Sequence, residues 1–117
     1  MGSIMEVTVQ ELETWRPGSY HLIDMRSTES LSYGTIPGAQ SIEAEALLET
    51  PPENDGRRFV LVCARGQYSL DAAEALEARG YAAYSLTGGY LAWLRRQMER
   101  QDADRLCQQV ETSLRKR

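Results

Sequence analysis

Residues 59–69 run Phe59-Val60-Leu61-Val62-Cys63-Ala64-Arg65-Gly66-Gln67-Tyr68-Ser69. Phe59 to Val62 is a continuous apolar run of strand length, partly β-branched and aromatic, as in a parallel strand buried on both faces. A polar segment with one glycine follows Cys63. The spacing then predicts a helix over 69–79, with Ser69 as its cap and Asp71 in its first turn. Leu70, Ala73 and Leu76 share one face, and Gly80 takes the position after its end. Strand, loop and helix in that order form the unit of a parallel α/β sheet. In such a sheet, sites lie beyond the C-terminal ends of the strands, and Cys63 stands at that end.

The same alternation continues on both sides. Thr8-Val9-Gln10-Glu11 is a capping box that opens a short helix through Trp15, stopped by Pro17-Gly18. His21 to Asp24 reads as a short buried strand. Ser27 to Gly38 reads as a loop with a helical turn, and Glu43 to Leu48 as a brief helix. Pro51 to Gly56 is a turn by composition. Tyr81 to Leu86 is the next strand, and Thr87-Gly88-Gly89 turns into a helix from Tyr90 to about Leu114. Leu91, Leu94, Met98, Leu106, Val110 and Leu114 form a broken apolar stripe along it. Strands alternating with helices imply an α/β fold with a mainly parallel central sheet flanked by helices, followed by a C-terminal helical extension.

At 117 residues the chain has the length of one domain, enough to bury a core without disulfides. An apolar fraction of 42% and a charged fraction of 26% are ordinary for a globular protein. No apolar run approaches the ~20 residues of a membrane span. No basic segment followed by an apolar one marks a secretory leader. Met1-Gly2-Ser3 reads as a remnant of expression, with Met5 as the natural start. Two cysteines without a leader do not make a disulfide framework, and with the single His21 they do not complete a zinc site. The expectation is a cytoplasmic protein that uses neither metal nor cofactor. The net charge of −4 is uneven. Residues 95–117 hold seven Lys/Arg against four Asp/Glu, a net +3, and residues 1–94 hold six against thirteen, a net −7. An acidic body argues against nucleic-acid binding by that body, and the mixed tail reads as a solvated helix with a basic end.

Cys63 has two readings. One is a small apolar core residue, which cysteine often is. The other is a nucleophile. A loop between a strand end and a helix N-terminus can aim several backbone amides at one centre, and the helix dipole adds to them. Such a centre favours the thiolate, the reactive form of cysteine. Gly66 gives the loop the freedom to curl. The strand–Cys–Gly loop–helix context favours the nucleophile.

Four segments in order resemble the rhodanese family, over nearly the whole length up to Trp93. Asp24-Met25-Arg26 resembles its D-x-R, and Gly34-Thr35-Ile36-Pro37-Gly38-Ala39 its G-H-I-P-G-A. Cys63 to Ser69 resembles its C-x-x-G-x-x-S loop, and Gly88-Gly89-Tyr90-Leu91-Ala92-Trp93 its G-G-x-x-A-W. The resemblance implies a three-layer rhodanese-like fold over residues 5–94 and a sulfurtransferase activity. Cys63 would take a sulfane sulfur from thiosulfate or from a cysteine-desulfurase persulfide. It would pass that sulfur, as a persulfide, to a thiol or protein acceptor. The amides of Ala64, Arg65, Gly66, Gln67, Tyr68 and Ser69 would hold the anionic sulfur. Arg65 is a candidate for steering an anionic donor and equally a solvated loop arginine. Asp24 and Arg26 would brace the loops, as an ion pair or through backbone hydrogen bonds.

The sequence departs from the family pattern at Thr35, where a His is usual, and at Ser30, with Glu29 one place before the usual Glu. It departs again at Tyr68, where an Arg is often found. These positions bear on thiosulfate preference rather than on fold. Two other functions are weighed. One is a non-catalytic rhodanese-fold interaction module, a kind that generally lacks the loop cysteine. The other is a cysteine-dependent phosphatase or arsenate reductase. Cysteine phosphatases need C-x5-R, whose Arg clamps phosphate, whereas the sixth residue after Cys63 is Ser69. Cys107 is expected to be a half-buried helix residue rather than a resolving thiol, and His21 a structural or surface residue. Residues 95–117 extend past the usual end of a single-domain rhodanese. Glu111 to Arg117 resembles the segment leading into PP-loop ATP-binding domains of tRNA 2-thiolation enzymes. That resemblance implies an excised N-terminal domain, with a downstream domain or partner on the C-terminal helix.

Overall fold

A computed structural model describes residues 5–32 and 34–115. Lys116 and Arg117, which end the segment likened to PP-loop proteins, lie outside it, as do the side chains of Cys107 and of residues 110–115. The strands are β1 (Glu6–Val7), β2 (Tyr20–Asp24), β3 (Gln40–Ser41), β4 (Arg58–Val62) and β5 (Ala82–Leu86). The helices are α1 (Val9–Leu12), α2 (Thr28–Leu31), α3 (Ala44–Glu49), α4 (Tyr68–Glu77) and α5 (Gly89–Arg115). All strand pairs are parallel, in the order β1-β5-β4-β2-β3. β4 is central, which is why its residues read as one apolar run.

Side chains alternate across β4 and feed two cores. Phe59, Leu61 and Cys63 join Ile23, Leu47, Ala72, Ala73 and Leu76 on the face covered by α3 and α4. Val60 and Val62 join Val7, Val9, Leu12, Ile36 and Leu86 on the other face, with Tyr90, Ala92 and Trp93 packed against them. The α/β architecture with a parallel central sheet is therefore the observed one.

The local signals hold unevenly. Thr8 and Glu11 form the reciprocal capping box, and Glu11 N donates to Thr8 Oγ1 at 3.0 Å. The helix it opens ends at Leu12 and continues as turns to Trp15. Gly80, at φ +92°, closes the turn after α4, where Tyr81 N donates to Leu76 O. Ser69 does not cap α4. The helix begins at Tyr68 after Gln67, whose side chain makes no cap bond, and Ser69 lies within its first turn with its hydroxyl turned inward to Cys63. β1 and β3 were not expected, since two-residue strands are too short to show a period. Leu91, Leu94, Met98 and Leu106 of the apolar stripe are exposed, and α5 packs through Tyr90, Ala92 and Trp93 instead. Glu13 ties α5 back to the body through Arg96 and Arg100. His21 stacks on Phe59 and its Nε2 meets Asp55 at 2.8 Å, a structural role. No helix among the described residues is long and apolar enough to cross a membrane.

Candidate active site

Cys63 follows β4 directly and is almost fully buried. Two amides donate to its sulfur, and the thiol in turn donates to the Ser69 hydroxyl. Gly66 N lies 3.0 Å from Sγ, Ser69 N 3.4 Å, and Ser69 Oγ 3.3 Å. Ser69 belongs to the first turn of the ten-residue α4, so the helix dipole also points at the sulfur. Burial alone would push the thiol pKa up. The Ser69 hydroxyl and the amides of Ser69, Gly66 and Arg65 outweigh it and hold the thiol below the ordinary cysteine range.

The other side of the loop explains why its amides face inward. Tyr90 N donates to Cys63 O at 2.8 Å and Leu91 N to Ala64 O at 3.1 Å. The first turn of α5 has amides without intrahelical partners, and the loop carbonyls satisfy two of them. With these carbonyls turned out toward α5, the following peptides are free to aim their N–H groups at the sulfur. Gly89 permits the close approach. At φ +62°, a Cβ there would overlap Cys63 O and stand 2.8 Å from Ala64 O. Gly66 makes the curl at φ +89°, with its backbone against that of Gly88.

The six loop residues divide by role. Hydrogen bonds to the Cys63 sulfur come from Gly66 and Ser69, and the Arg65 amide adds to the pull on the thiol. Among the described residues, the amides of Ala64, Gln67 and Tyr68 make no hydrogen bond to the thiol sulfur itself. The side chains of Ala64, Arg65 and Gln67 are exposed, and Tyr68 is 74% exposed. They form the outer rim.

Asp24 and Arg26 stand beside this loop, because Met25 N pairs with Val62 O at 2.9 Å. Asp24 is fully buried and the Arg26 side chain is 7% exposed. Arg26 Nε donates to Asp24 Oδ1 at 3.0 Å and Nη2 to Oδ2 at 2.8 Å, a forked ion pair. Nη2 also donates to Gly34 O at 2.7 Å, and the guanidinium lies 4.0 Å from the Tyr90 ring centroid. The Thr35 hydroxyl, in the place of the family His, reaches Asp24 Oδ2 at 3.5 Å. These bonds join β2, the 34–35 segment and α5. Glu29 is exposed and Ser30 bonds with Ser27, so neither joins the site. One residue of the cluster was invisible in the sequence. Ser85, in β5, is fully buried with its Oγ 2.6 Å from Ser69 Oγ, and a lone serine in a strand carries no signal.

A parallel sheet with a polarised cysteine at the mouth of its central strand defines a class of cysteine-loop α/β domains. Within that class the chain belongs to the rhodanese-like domain family, whose pattern matches residues 8–96. It is 33% identical over 96 residues to the thiosulfate sulfurtransferase GlpE of Shewanella oneidensis, covering 80% of this chain and 95% of that protein. A human single-domain sulfurtransferase shares the fold with a TM-score of 0.71 and 27% identity, over 80% of this chain and 97% of that one. A rhodanese-like domain protein of Staphylococcus aureus gives a TM-score of 0.68 and 29% identity, over 77% and 91%.

Proposed function

We propose that the protein is a sulfurtransferase that carries sulfane sulfur as a persulfide on Cys63. The observation that carries this reading is the polar set around Sγ: two donating amides and a hydroxyl within 3.4 Å, at a helix N-terminus. That set favours sulfur as an anion, and so the thiolate, the reactive form of cysteine, over the thiol. The names of the relatives at 33% and 27% identity support the same chemistry.

With thiosulfate as donor, the Cys63 thiolate attacks the outer sulfur. The Sγ–S bond forms, the S–S bond of thiosulfate breaks, and sulfite leaves with the electron pair. A thiol or protein nucleophile then attacks the terminal sulfur of the persulfide, takes it, and returns Cys63 as thiolate. A cysteine-desulfurase persulfide would serve as donor by the same exchange, with the desulfurase thiolate as leaving group. The exposed rim of Arg65, Gln67 and Tyr68 faces whichever donor approaches, and Arg65 adds a positive charge that draws an anion. Asp24 and Arg26 serve as bracing, since their charges are spent on each other. Ser69 stands where a cysteine phosphatase has its clamping Arg, and its hydroxyl is committed to Cys63 and Ser85, which disfavours phosphate. A free cysteine used as a nucleophile suits the reducing cytoplasm. The length of α5 beyond residue 96 is the place for a downstream domain or partner.

The test is mass spectrometry after incubation with thiosulfate. One added sulfur on the Cys63 peptide, absent from Cys63→Ser, is expected. An unmodified Cys63 after both thiosulfate and a persulfide-charged desulfurase would sink the proposal and favour a binding module.

A further inference from the structure

Two serine hydroxyls are buried behind the Cys63 sulfur. Ser69 and Ser85 are both fully buried, and their oxygens stand 2.6 Å apart. On one side Ser69 Oγ lies 3.3 Å from Cys63 Sγ. On the other, Ser85 Oγ lies 3.5 Å from Gly66 O. Sulfur, hydroxyl, hydroxyl and carbonyl thus form one unbranched chain. A buried hydroxyl in a strand is costly unless it is bonded, and alanine would fill this place without that cost.

Each hydroxyl donates one hydrogen, so the chain has two consistent directions. When Cys63 is a thiol, S–H donates to Ser69, Ser69 to Ser85, and Ser85 to the Gly66 carbonyl. When Cys63 is a thiolate, Ser85 donates to Ser69 and Ser69 donates to sulfur. The change needs two O–H bonds to rotate and no heavy atom to move. Hydrogen bonds in a chain polarise one another, and a bond to an anion is roughly twice as strong as a neutral one. The Ser85–Ser69 bond is therefore stronger in the thiolate direction, whereas the Ser85 contact to Gly66 O, which only the thiol direction adds, is long at 3.5 Å and weak. Losing the Ser85 hydroxyl thus harms the thiolate more than the thiol.

We infer that Ser85 is a positioning residue for the nucleophile: acting through Ser69, it holds a hydroxyl hydrogen on the Cys63 sulfur when that sulfur is a thiolate. This role rests on Cys63 being the nucleophile, and it is read on the thiol itself rather than on sulfur transfer.

The experiment is the pH midpoint of iodoacetamide alkylation, read by mass spectrometry on the Cys63 peptide so that Cys107 does not contribute. Ser69→Ala should raise the midpoint by about one to two pH units, the size of one hydrogen bond to a charged group. Ser85→Ala should raise it by about half a unit, the share that polarisation along the chain supplies. Ser85→Thr, which keeps the hydroxyl, should hold the wild-type midpoint. In a Ser69→Ala background, Ser85→Ala should add nothing, because the link is gone. Thermal melts establish that each variant is folded. An unchanged midpoint in folded Ser85→Ala overturns the inference. So does a threonine variant that shifts as far as alanine, or an equal alanine shift in the Ser69→Ala background. A protein that alkylates as expected yet takes up no sulfur defeats the sulfurtransferase reading and leaves the role of Ser85 standing.

Discussion

Two loops leave the same end of the sheet, one after β2 and one after β4, and they handle charge in opposite ways. The β2 loop holds a full ion pair, Asp24 with Arg26, in which each charge is met by the other and by the backbone. The β4 loop brings no side-chain charge to Cys63. It offers the sulfur amides and one hydroxyl. A buried pair whose charges cancel has nothing left for a substrate, and its value is geometric. Partial charges aimed at a single titratable atom leave that atom poised to ionise. The sulfur transfer we propose therefore belongs to the loop with less formal charge. Tyr90 touches both, its amide on Cys63 O and its ring under Arg26.

The largest expected effect lies in the loop that holds the ion pair. Asp24→Asn keeps the shape but removes the anion and leaves the Arg26 guanidinium buried without its countercharge. Removing one partner of a buried pair costs about 3–5 kcal/mol. Denaturant unfolding should show a loss of that size, while the alkylation midpoint of Cys63 in the folded protein stays near wild type. A midpoint that moves by a full pH unit would mean that the two loops are not separate devices.

Gly89→Ala tests the other loop from behind. The new Cβ would sit in the left-handed region, which costs about 1–2 kcal/mol for a residue other than glycine. It would also meet backbone, Cys63 O and the Ala64 peptide, which cannot turn aside as a side chain can. A total loss of about 2–4 kcal/mol is expected, together with a raised Cys63 midpoint as the loop shifts and its amides lose their aim. Stability lost with an unchanged midpoint would separate the packing of α5 from the orientation of the amides.

The contrast between the loops was partly legible in the sequence. The apolar run into Cys63 fixes a central parallel strand, and Gly66 marks the curl, because both depend on local pattern. The D-x-R spacing brings Asp24 and Arg26 within reach of each other. Other features depend on the fold. Ser69 reads as a helix cap by position, yet tertiary contact turns its hydroxyl toward Cys63. Ser85 becomes a neighbour of Ser69 when β5 aligns beside β4, and no local pattern carries that. The stripe on α5 misleads because helical spacing alone does not say which face meets the body. Tyr90, Ala92 and Trp93 do.

The smallest expected effect concerns the far anchor of the helix that both loops share. Glu13 meets Arg96 Nη2 at 3.0 Å and Arg100 Nη1 at 3.4 Å, all partly exposed. Its hydrogen bond to Arg96 acts most strongly on the carboxyl, which stays below the ordinary carboxylate range although burial opposes the shift. A depressed acid stabilises the fold above its unfolded-state pKa, and the benefit disappears as pH falls through the folded-state value. Glu13→Gln should therefore lower stability at neutral pH by less than about 1 kcal/mol, less still in high salt, and the difference from wild type should close in acid. The Cys63 midpoint should not move, because the loops lean on the first turn of α5, through Tyr90 and Leu91, rather than on the helix as a whole. Thermal melts across pH, paired with alkylation, check both halves. A midpoint that rises in Glu13→Gln would show that the whole helix sets the amides, and the division between the two loops would then run through α5.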